Sequence, residues 1–559
     1  MQSRSTFTIL FFLVLSSWTL TAQCEWFKTG TTTQAGNDSR AVAVTSDGQG
    51  NVYVVGDYNN IFSIQGQDIA NLYVNNPGVA LCKFNSAGTL QWITNLSSPN
   101  FRAWDIAVRG GNIYISGNYV NFVTINGQNF SGQGENGLII KFDSQGNMVW
   151  GKTINSPSSS YAYDIAFIND NSFLFTGRFR QSVIVDGMQI TGSSGSKNYG
   201  LYGRMDTDGK LTWMKTSGES GNLVTPNALA IDPSNGSFYL GGVFRQGVSF
   251  GNQTAPSPGS SIANLPFVAK FNSSGDVQWL KAGSVPTGST TLLSSVTGLS
   301  VAPNGNLILT GFLEDAVNFM GQTSYGESTA LMMRIQSNGN LAGSLQVQGT
   351  FEGTAFNFSQ FDAQGNLWLG GAAKGNLAVL EDGQPHSIGY TTMGYDILAA
   401  YYSATTGFSG IELLGGPGNE GWTNGAIDNA NRLLATGYFS GTFTRNGVTA
   451  TSPNGSTSDF LLMKICTFAP SSDIEDTDEL AGQIHLTPNP AGDQTTLQVP
   501  DELIGSTCRI LDIHGRIVYS TILPGATFDL PLHTLSNGMH LIQIQRDGSA
   551  WSKRLMIQK

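Results

Sequence analysis

Val52-Tyr53-Val54-Val55-Gly56, an apolar run closed by glycine, returns six more times along the chain. It recurs as Ile113-Tyr114-Ile115-Ser116-Gly117, Phe173-Leu174-Phe175-Thr176-Gly177, Phe238-Tyr239-Leu240-Gly241-Gly242, Leu307-Ile308-Leu309-Thr310-Gly311, Leu367-Trp368-Leu369-Gly370-Gly371 and Leu433-Leu434-Ala435-Thr436-Gly437. The closing glycines lie 61, 60, 65, 69, 60 and 66 residues apart, a period that marks a chain of 559 residues as a repeat architecture. Each run is apolar at both alternating positions, so it reads as a strand covered on both faces, as when sheets stack. Turns rich in Asp, Asn and Gly precede most runs, such as Ser46-Asp47-Gly48 and Pro303-Asn304-Gly305. Before them comes another short segment, such as Ala41-Val42-Ala43-Val44 or Asp164-Ile165-Ala166-Phe167, and the two make a hairpin.

The second half of each unit is a hairpin whose loop holds a glycine, with tryptophan four residues later: Gly88 and Trp92, Gly146 and Trp150, Gly209 and Trp213, Gly275 and Trp279. A cation stands five residues before each of these glycines. Pairing residues 85 and 90 across the loop sets Lys83 opposite Trp92, Lys141 opposite Trp150, Arg204 opposite Trp213 and Lys270 opposite Trp279, a series of cross-strand cation–π pairs. Each contact is worth on the order of 0.5–1 kcal/mol. Burying a tryptophan removes roughly 150–250 Å² from water, about 4–6 kcal/mol at most. Burial dominates, and residues repeated unit after unit read as core rather than as a platform for carbohydrate. The fifth unit keeps Arg334 but has Gly343 in place of tryptophan, and the sixth has Tyr402 and Ile411 at the paired positions.

The seventh unit lacks its last strand, because the chain leaves the pattern at Cys466 after Leu461-Leu462-Met463-Lys464-Ile465. Glu25-Trp26-Phe27 has the character of the missing strand, and Trp26 precedes Trp92 by 66 residues, one repeat length. The expected architecture is therefore all-β: a seven-bladed β-propeller over residues 24–467 whose N-terminal strand completes the last blade and protects an open edge. The same register sets Lys464 opposite Trp26 and Cys466 opposite Cys24, at a separation that a disulfide accepts. A second reading of Cys24 stands beside the disulfide: Leu20-Thr21-Ala22-Gln23-Cys24 has the outline of a lipoprotein cleavage site. Cys82 and Cys508 sit alone on expected strands and read as small buried residues.

Composition agrees with short strands and turns: 69 glycines, and charged residues at only 12%, roughly half the share of an average soluble domain. The formal net charge of −11 without a basic run disfavours nucleic acid and anionic membrane surfaces as partners. Arg4, the apolar stretch Ile9 to Leu15 and Thr21-Ala22-Gln23 have the layout of a signal peptide over residues 1–23. That stretch is too short to span a bilayer, and later apolar runs are all broken by Gly, Asn, Ser or Asp.

Taken together, the units resemble the bacterial seven-bladed β-propeller repeat family known as SBBP, over roughly residues 24–467. Past an acidic linker at 468–484, with Asp473, Glu475, Asp476, Asp478 and Glu479, the last 75 or so residues read as a small β-sandwich. Its motifs are Thr487-Pro488-Asn489-Pro490-Ala491, Leu511-Asp512-Ile513-His514-Gly515-Arg516, Leu535-Ser536-Asn537-Gly538 and a basic, apolar end from Lys553 to Lys559. In that order, residues 485–559 resemble the C-terminal sorting domain of the type IX secretion system, with Pro488, Asn489, Pro490, Asp512, Gly515 and Gly538 on the family's motif positions. This implies entry into the periplasm, passage across the outer membrane by recognition of the domain, and a location on the cell surface or outside.

Reactive constellations are scarce. His386 alone of five histidines precedes the linker, which disfavours Ser-His-Asp and Cys-His chemistry. No spacing suits zinc, Asp206-Thr207-Asp208-Gly209 lacks the remaining ligands of a calcium loop, and Gly415-Gly416-Pro417-Gly418 lacks the lysine of a phosphate loop. The expectation is a non-catalytic, monomeric binding scaffold without metal or cofactor. It would meet a glycan or protein through loops such as 251–264 and 283–293, and the membrane only through a post-export anchor. Two alternatives stand beside it: a polysaccharide hydrolase or lyase using paired carboxylates at the channel mouth, and a purely structural surface component.

Overall fold

Strand Val52–Tyr58, which holds the first apolar run, pairs with Ser39–Ser46 on one side and Gly78–Phe84 on the other, and Leu90–Asn95 completes four antiparallel strands. The computed structural model describes residues 24–32, 38–71, 77–96, 101–218, 222–255, 263–285, 293–314, 316–324, 327–405, 407–445, 448–452, 458–465, 484–511, 517–546 and 549–559. Among the described residues this set of four recurs six further times, and no α-helix occurs, so the chain is all-β. The leader expected at 1–23 and most of the linker expected at 468–484 lie outside the described residues.

The first strands of the sets are Ser39–Ser46, Phe101–Arg109, Ser159–Asn169, Leu223–Ile231, Ser295–Val301, Ala355–Phe361 and Glu420–Ile427. Each lies beside the next, and the last lies beside the first. At that junction Thr423 Oγ1 donates to Ala41 O at 2.8 Å, and Ser46 Oγ donates to Ile427 O at 3.0 Å. The last set consists of Glu420–Ile427, Leu433–Phe439 and Asp459–Ile465 with Cys24–Thr32 as its fourth strand, so the two ends of the repeat region share one sheet. Second and third strands are apolar on both faces because neighbouring sheets cover both; Leu265–Phe271 is buried at every position.

The closing glycines follow from one backbone irregularity. Every first strand carries a bulge opposite its closing glycine, at Val42, Trp104, Tyr163, Asn227, Thr297, Asn357 and Thr423. The bulge drives a carbonyl oxygen, that of Arg40, Arg102, Tyr161, Thr225, Ser295, Ala355 or Gly421, against the glycine. A Cβ at Gly56, Gly117, Gly177, Gly242, Gly311, Gly371 or Gly437 would lie under 3.0 Å from it. Only glycine lets the two backbones approach so closely.

The tail has its own core. His485–Thr487, Gln494–Gln498 and Thr527–Pro531 form one sheet, and Thr507–Leu511, Ile517–Ile522, Gly538–Arg546 and Ser549–Ile557 another. Leu497, Leu530, Ile510, Ile542 and Leu555 are buried together in that core.

Some pairings depart from the sequence reading: Phe84, not Asn85, faces Leu90, and a bulge at Gln91 then sets Lys83 opposite Trp92. In the sixth set Ile411 faces Ala400, and the positions equivalent to Lys83 and Trp92 are Tyr401 and Gly410. The glycine of that turn, Gly407, stands one place later than in the other units, so counting from it misplaces the register by one residue.

Candidate functional site

A bulge turns its residue out of the strand's alternation, and all seven bulged residues line one cavity of about 520 Å³ where the first strands meet. In three of the sets the residue after the bulge bonds the neighbouring set. Asp105 Oδ2 accepts from Ile165 N at 3.2 Å and Asp164 Oδ2 from Leu229 N at 2.7 Å. Asn424 Oδ1 accepts from Val44 N at 3.4 Å, the same latch with an uncharged amide.

Asp105 and Asp164 also hydrogen-bond to one another. Burial pushes both carboxyl groups up, Asp164 to about 6 and Asp105 well above the carboxylate range, where the charge of Asp164 adds to the effect. The pair as a whole therefore holds on to a proton above the usual carboxylate range. Glycoside hydrolysis needs two carboxyl groups roughly 5–10 Å apart with the sugar between them. This pair is in mutual contact and already bonded to backbone.

Beside the cavity, and sharing Trp104 and Tyr163 with it, lies a second hollow of about 460 Å³. Trp104 packs edge-on against Tyr163 at 5.5 Å between centroids, and Tyr163 stacks on Tyr161 at 5.6 Å and 9°. The Arg178 guanidinium lies over Tyr161, 4.3 Å from its centroid, and 6.0 Å from that of Tyr163. Trp104 Nε1 donates to Asn118 Oδ1 at 2.8 Å, and the Tyr161 hydroxyl donates to Glu135. These contacts fix each ring. Burial pushes the Tyr163 hydroxyl far up, so it is a poor base at neutral pH.

The repeated cation and tryptophan positions lie elsewhere, between neighbouring sets. Lys83 faces Trp92, Lys141 Trp150, Arg204 Trp213, Lys270 Trp279 and Lys464 Trp26. The rings beneath the lysines differ from the sequence expectation. Lys83, Lys141 and Lys270 stand over Tyr53, Tyr114 and Tyr239, at 5.2, 5.5 and 5.4 Å. Those tyrosines occupy the other flanking strand, directly across from the lysines. Where that strand has Leu434 instead, Lys464 stands over Trp26 at 5.8 Å. Where it has Leu174, Arg204 donates to Ser172 Oγ at 3.0 Å.

In four of the sets the lysine ammonium and the tryptophan N–H donate to one carbonyl oxygen in the next set's turn. The acceptors are Ser144 O for Lys83 and Trp92, Thr207 O for Lys141 and Trp150, Ser337 O for Lys270 and Trp279, and Ser86 O for Lys464 and Trp26. Each tryptophan also lies on a turn glycine of that next set, at φ +75 to +87, as Trp92 does on Gly146 and Trp26 on Gly88. In the fifth set Arg334 fills the space above Gly343 and bonds Asp382 at 2.8 Å.

Cys24 pairs through its backbone with Ile465, because a bulge between Cys24 and Trp26 shifts the register. The Cys24 side chain and all of Cys466 lie outside the described residues, as do Asp512, Gly515 and residues 256–262 and 286–292 of the two expected binding loops. In the tail, Asn489 Oδ1 accepts from Met556 N at 2.8 Å, and Ala491 exchanges backbone hydrogen bonds with Met556 and Gln558. The Pro488-Asn489-Pro490 segment is thereby tied to the final strand. Gly538, at φ +126, opens the strand that pairs with it.

Counting from the turn glycine misses the cavity and its rim. A signal for them exists in Ala103-Trp104-Asp105-Ile106-Ala107 and Ala162-Tyr163-Asp164-Ile165-Ala166, one pattern of aromatic plus aspartate at equivalent places in consecutive units.

Residues 485–558 match the family described as the secretion system C-terminal sorting domain. The tail is thus a type IX sorting domain, which implies export to the cell surface or beyond. No curated protein matches the chain. Among solved structures, the chain is similar to PorZ, a bacterial surface component of the type IX secretion system of Porphyromonas gingivalis, at 11% identity and TM-score 0.18, covering 95% of this chain and 100% of that one. It is also similar to a protein of unknown function from Dyadobacter fermentans, at 10% identity and TM-score 0.36, covering 78% and 98%. A third is an ulvan lyase of polysaccharide lyase family 25, at 9% identity and TM-score 0.37, covering 76% and 96%. Likeness at these scores says nothing about what this chain does.

Proposed function

We propose that this chain is an exported, non-catalytic binding scaffold: a seven-bladed β-propeller over residues 24–467, with a signal peptide at 1–23 and an acidic linker at 468–484 leading to the sorting domain. The recurrent four-stranded sets, their first strands side by side, and the strand Cys24–Thr32 in the last sheet support the propeller reading. In this reading the lysine and tryptophan pairs are structural, Cys24 and Cys466 form a disulfide, and the protein is a monomer whose partners are the type IX machinery and a glycan or protein ligand.

One observation carries the binding role. The cavity's two carboxyl groups bond each other and neighbouring backbone, while the rim beside them sets the half-buried rings of Trp104 and Tyr163 next to the Arg178 guanidinium. The competing hydrolase or lyase reading needs separated carboxylates facing an open cleft. A purely structural surface role needs no such rim. The test is an array of glycans and matrix proteins probed with the mature protein, beside a turnover assay on a polysaccharide panel. Saturable binding without turnover supports the scaffold; turnover, or an empty array, overturns it.

A further inference from the structure

We infer that the hollow formed by Trp104, Tyr161, Tyr163, Arg178 and Arg102 binds an acidic polysaccharide segment, a carboxylate- or sulfate-bearing sugar chain; this deepens the scaffold reading above and rests on it. The first ground is the free charge. Arg178 Nε is buried without a hydrogen-bond partner, and among the described residues neither Arg178 nor Arg102 forms an ion pair. In a chain with 39 carboxylates against 28 cations, two guanidinium groups line the hollow against one carboxylate, Glu135, which the Tyr161 hydroxyl already holds, so the local balance is positive. The Arg178 guanidinium lies over the Tyr161 ring, and its terminal N–H groups match the two oxygens of a carboxylate or sulfate.

The second ground is the rings. Tyr161 and Tyr163 are stacked in parallel, and Trp104 is held by Asn118, so all three keep their orientation without a ligand. Tyr161 is itself buried between Tyr163 and Arg178, so the surface left for a sugar is that of half-buried Trp104 and Tyr163 beside the guanidinium, and rings already ordered lose little entropy on binding. The third ground is extent. Trp104 and Tyr163 line both the hollow and the central cavity, so the two spaces adjoin across these rings. The net charge of −11 argues against loose attraction of any polyanion, which leaves a local match as the source of affinity.

The experiment uses the full mature chain titrated with polygalacturonate, dextran sulfate and neutral dextran, together with Arg102→Gln, Arg178→Gln and Trp104→Ala variants. Thermal melts show that each variant folds. Arg102 is exposed, so its variant leaves the core untouched. The expected result is binding of at least one acidic polymer, weakened by added salt, absent for neutral dextran and reduced about tenfold or more in each arginine variant. The arm that binds tells carboxylate from sulfate. Equal affinity in the arginine variants, equal binding of neutral dextran, or no binding of either acidic polymer overturns the inference. A neutral glycan or protein hit on the array with the acidic arms blank overturns it while leaving the scaffold reading intact.

Discussion

Trp26 stands opposite Lys464 in the strand pair that joins the chain's start to its last four-stranded set, and both side chains donate to the carbonyl oxygen of Ser86 in the first set. The clasp that links other neighbouring sets is thereby built here from residues at opposite ends of the repeat region. Lys464 differs from its counterparts in a second way: it is fully buried and meets Asp428 at 2.9 Å, and Asp428 also holds Arg432 at 3.1 Å.

Replacing Lys464 with Met removes the clasp and leaves Asp428 short of one cation in a buried site. The expected loss is about 3–5 kcal/mol, the range for breaking one partner of a buried pair. The double variant Asp428→Asn, Lys464→Met removes the orphaned charge as well and recovers part of that loss. Urea unfolding of the three proteins checks this; equal stabilities would show that the pair carries nothing.

The closing glycines give a second test. An alanine at Gly177 drives its methyl into the Tyr161 carbonyl, a backbone group that cannot rotate away, and the expected cost is about 1–3 kcal/mol or more. At Gly187 a Cβ meets nothing within 4 Å, so Gly187→Ala carries only the penalty of its φ of +81, about 1 kcal/mol. The comparison of denaturation midpoints separates a close-approach glycine from a turn glycine.

The repeat itself was legible because a doubly covered strand leaves an unbroken apolar run and a bulge demands glycine opposite it. Lys83 does face Trp92, but by a different route from the count across residues 85 and 90: Phe84 faces Leu90, and a bulge at Gln91 restores the expected partner. The ring under each cation was not legible from that hairpin, since it depends on whether the other flanking strand supplies Tyr53 or, as in the last set, Leu434. The binding rim was hidden for a related reason. A one-residue bulge does not change the apolar pattern around it, so Trp104 and Tyr163 read as ordinary strand residues although the bulge turns them toward the centre.

The pair Asp105 and Asp164 predicts a pH dependence with a definite sign. Both carboxyl groups titrate higher in the folded protein than in the unfolded chain, where they titrate near 4. Between that value and their folded values the native state holds more protons than the unfolded state, so stability falls as pH rises through about 4 to 6 and beyond. Asp105→Asn keeps an oxygen for Ile165 N and donors for Asp164, as Asn424 shows for the equivalent latch. The expected outcome is a melting temperature above that of the parent at pH 8, with the slope between pH 5 and 8 flattened. A variant less stable than the parent at pH 8 would mean that the carboxyl proton is not what the folded state holds there.

The cysteines allow a last test, joining chemistry to export. Cys82 and Cys508 are buried and unpaired, and burial pushes both thiols up, Cys508 to about 12. The thiolate is the reactive form, so neither reacts with a thiol reagent while the protein is folded. Cys24 pairs through its backbone with Ile465, the residue before Cys466 in sequence, and in the proposed reading the two cysteines are oxidised to one another outside the cytoplasm. Non-reducing peptide mapping of protein recovered from the cell surface should yield one cross-linked peptide pair containing Cys24 and Cys466, with Cys82 and Cys508 labelled only after denaturation. Cys466→Ser should then lower stability by roughly 2–4 kcal/mol, through the freedom returned to the unfolded chain. A lipid-modified Cys24 in the recovered protein would instead identify the alternative anchor, and a free Cys466 would remove the disulfide from the account of how the last sheet is held.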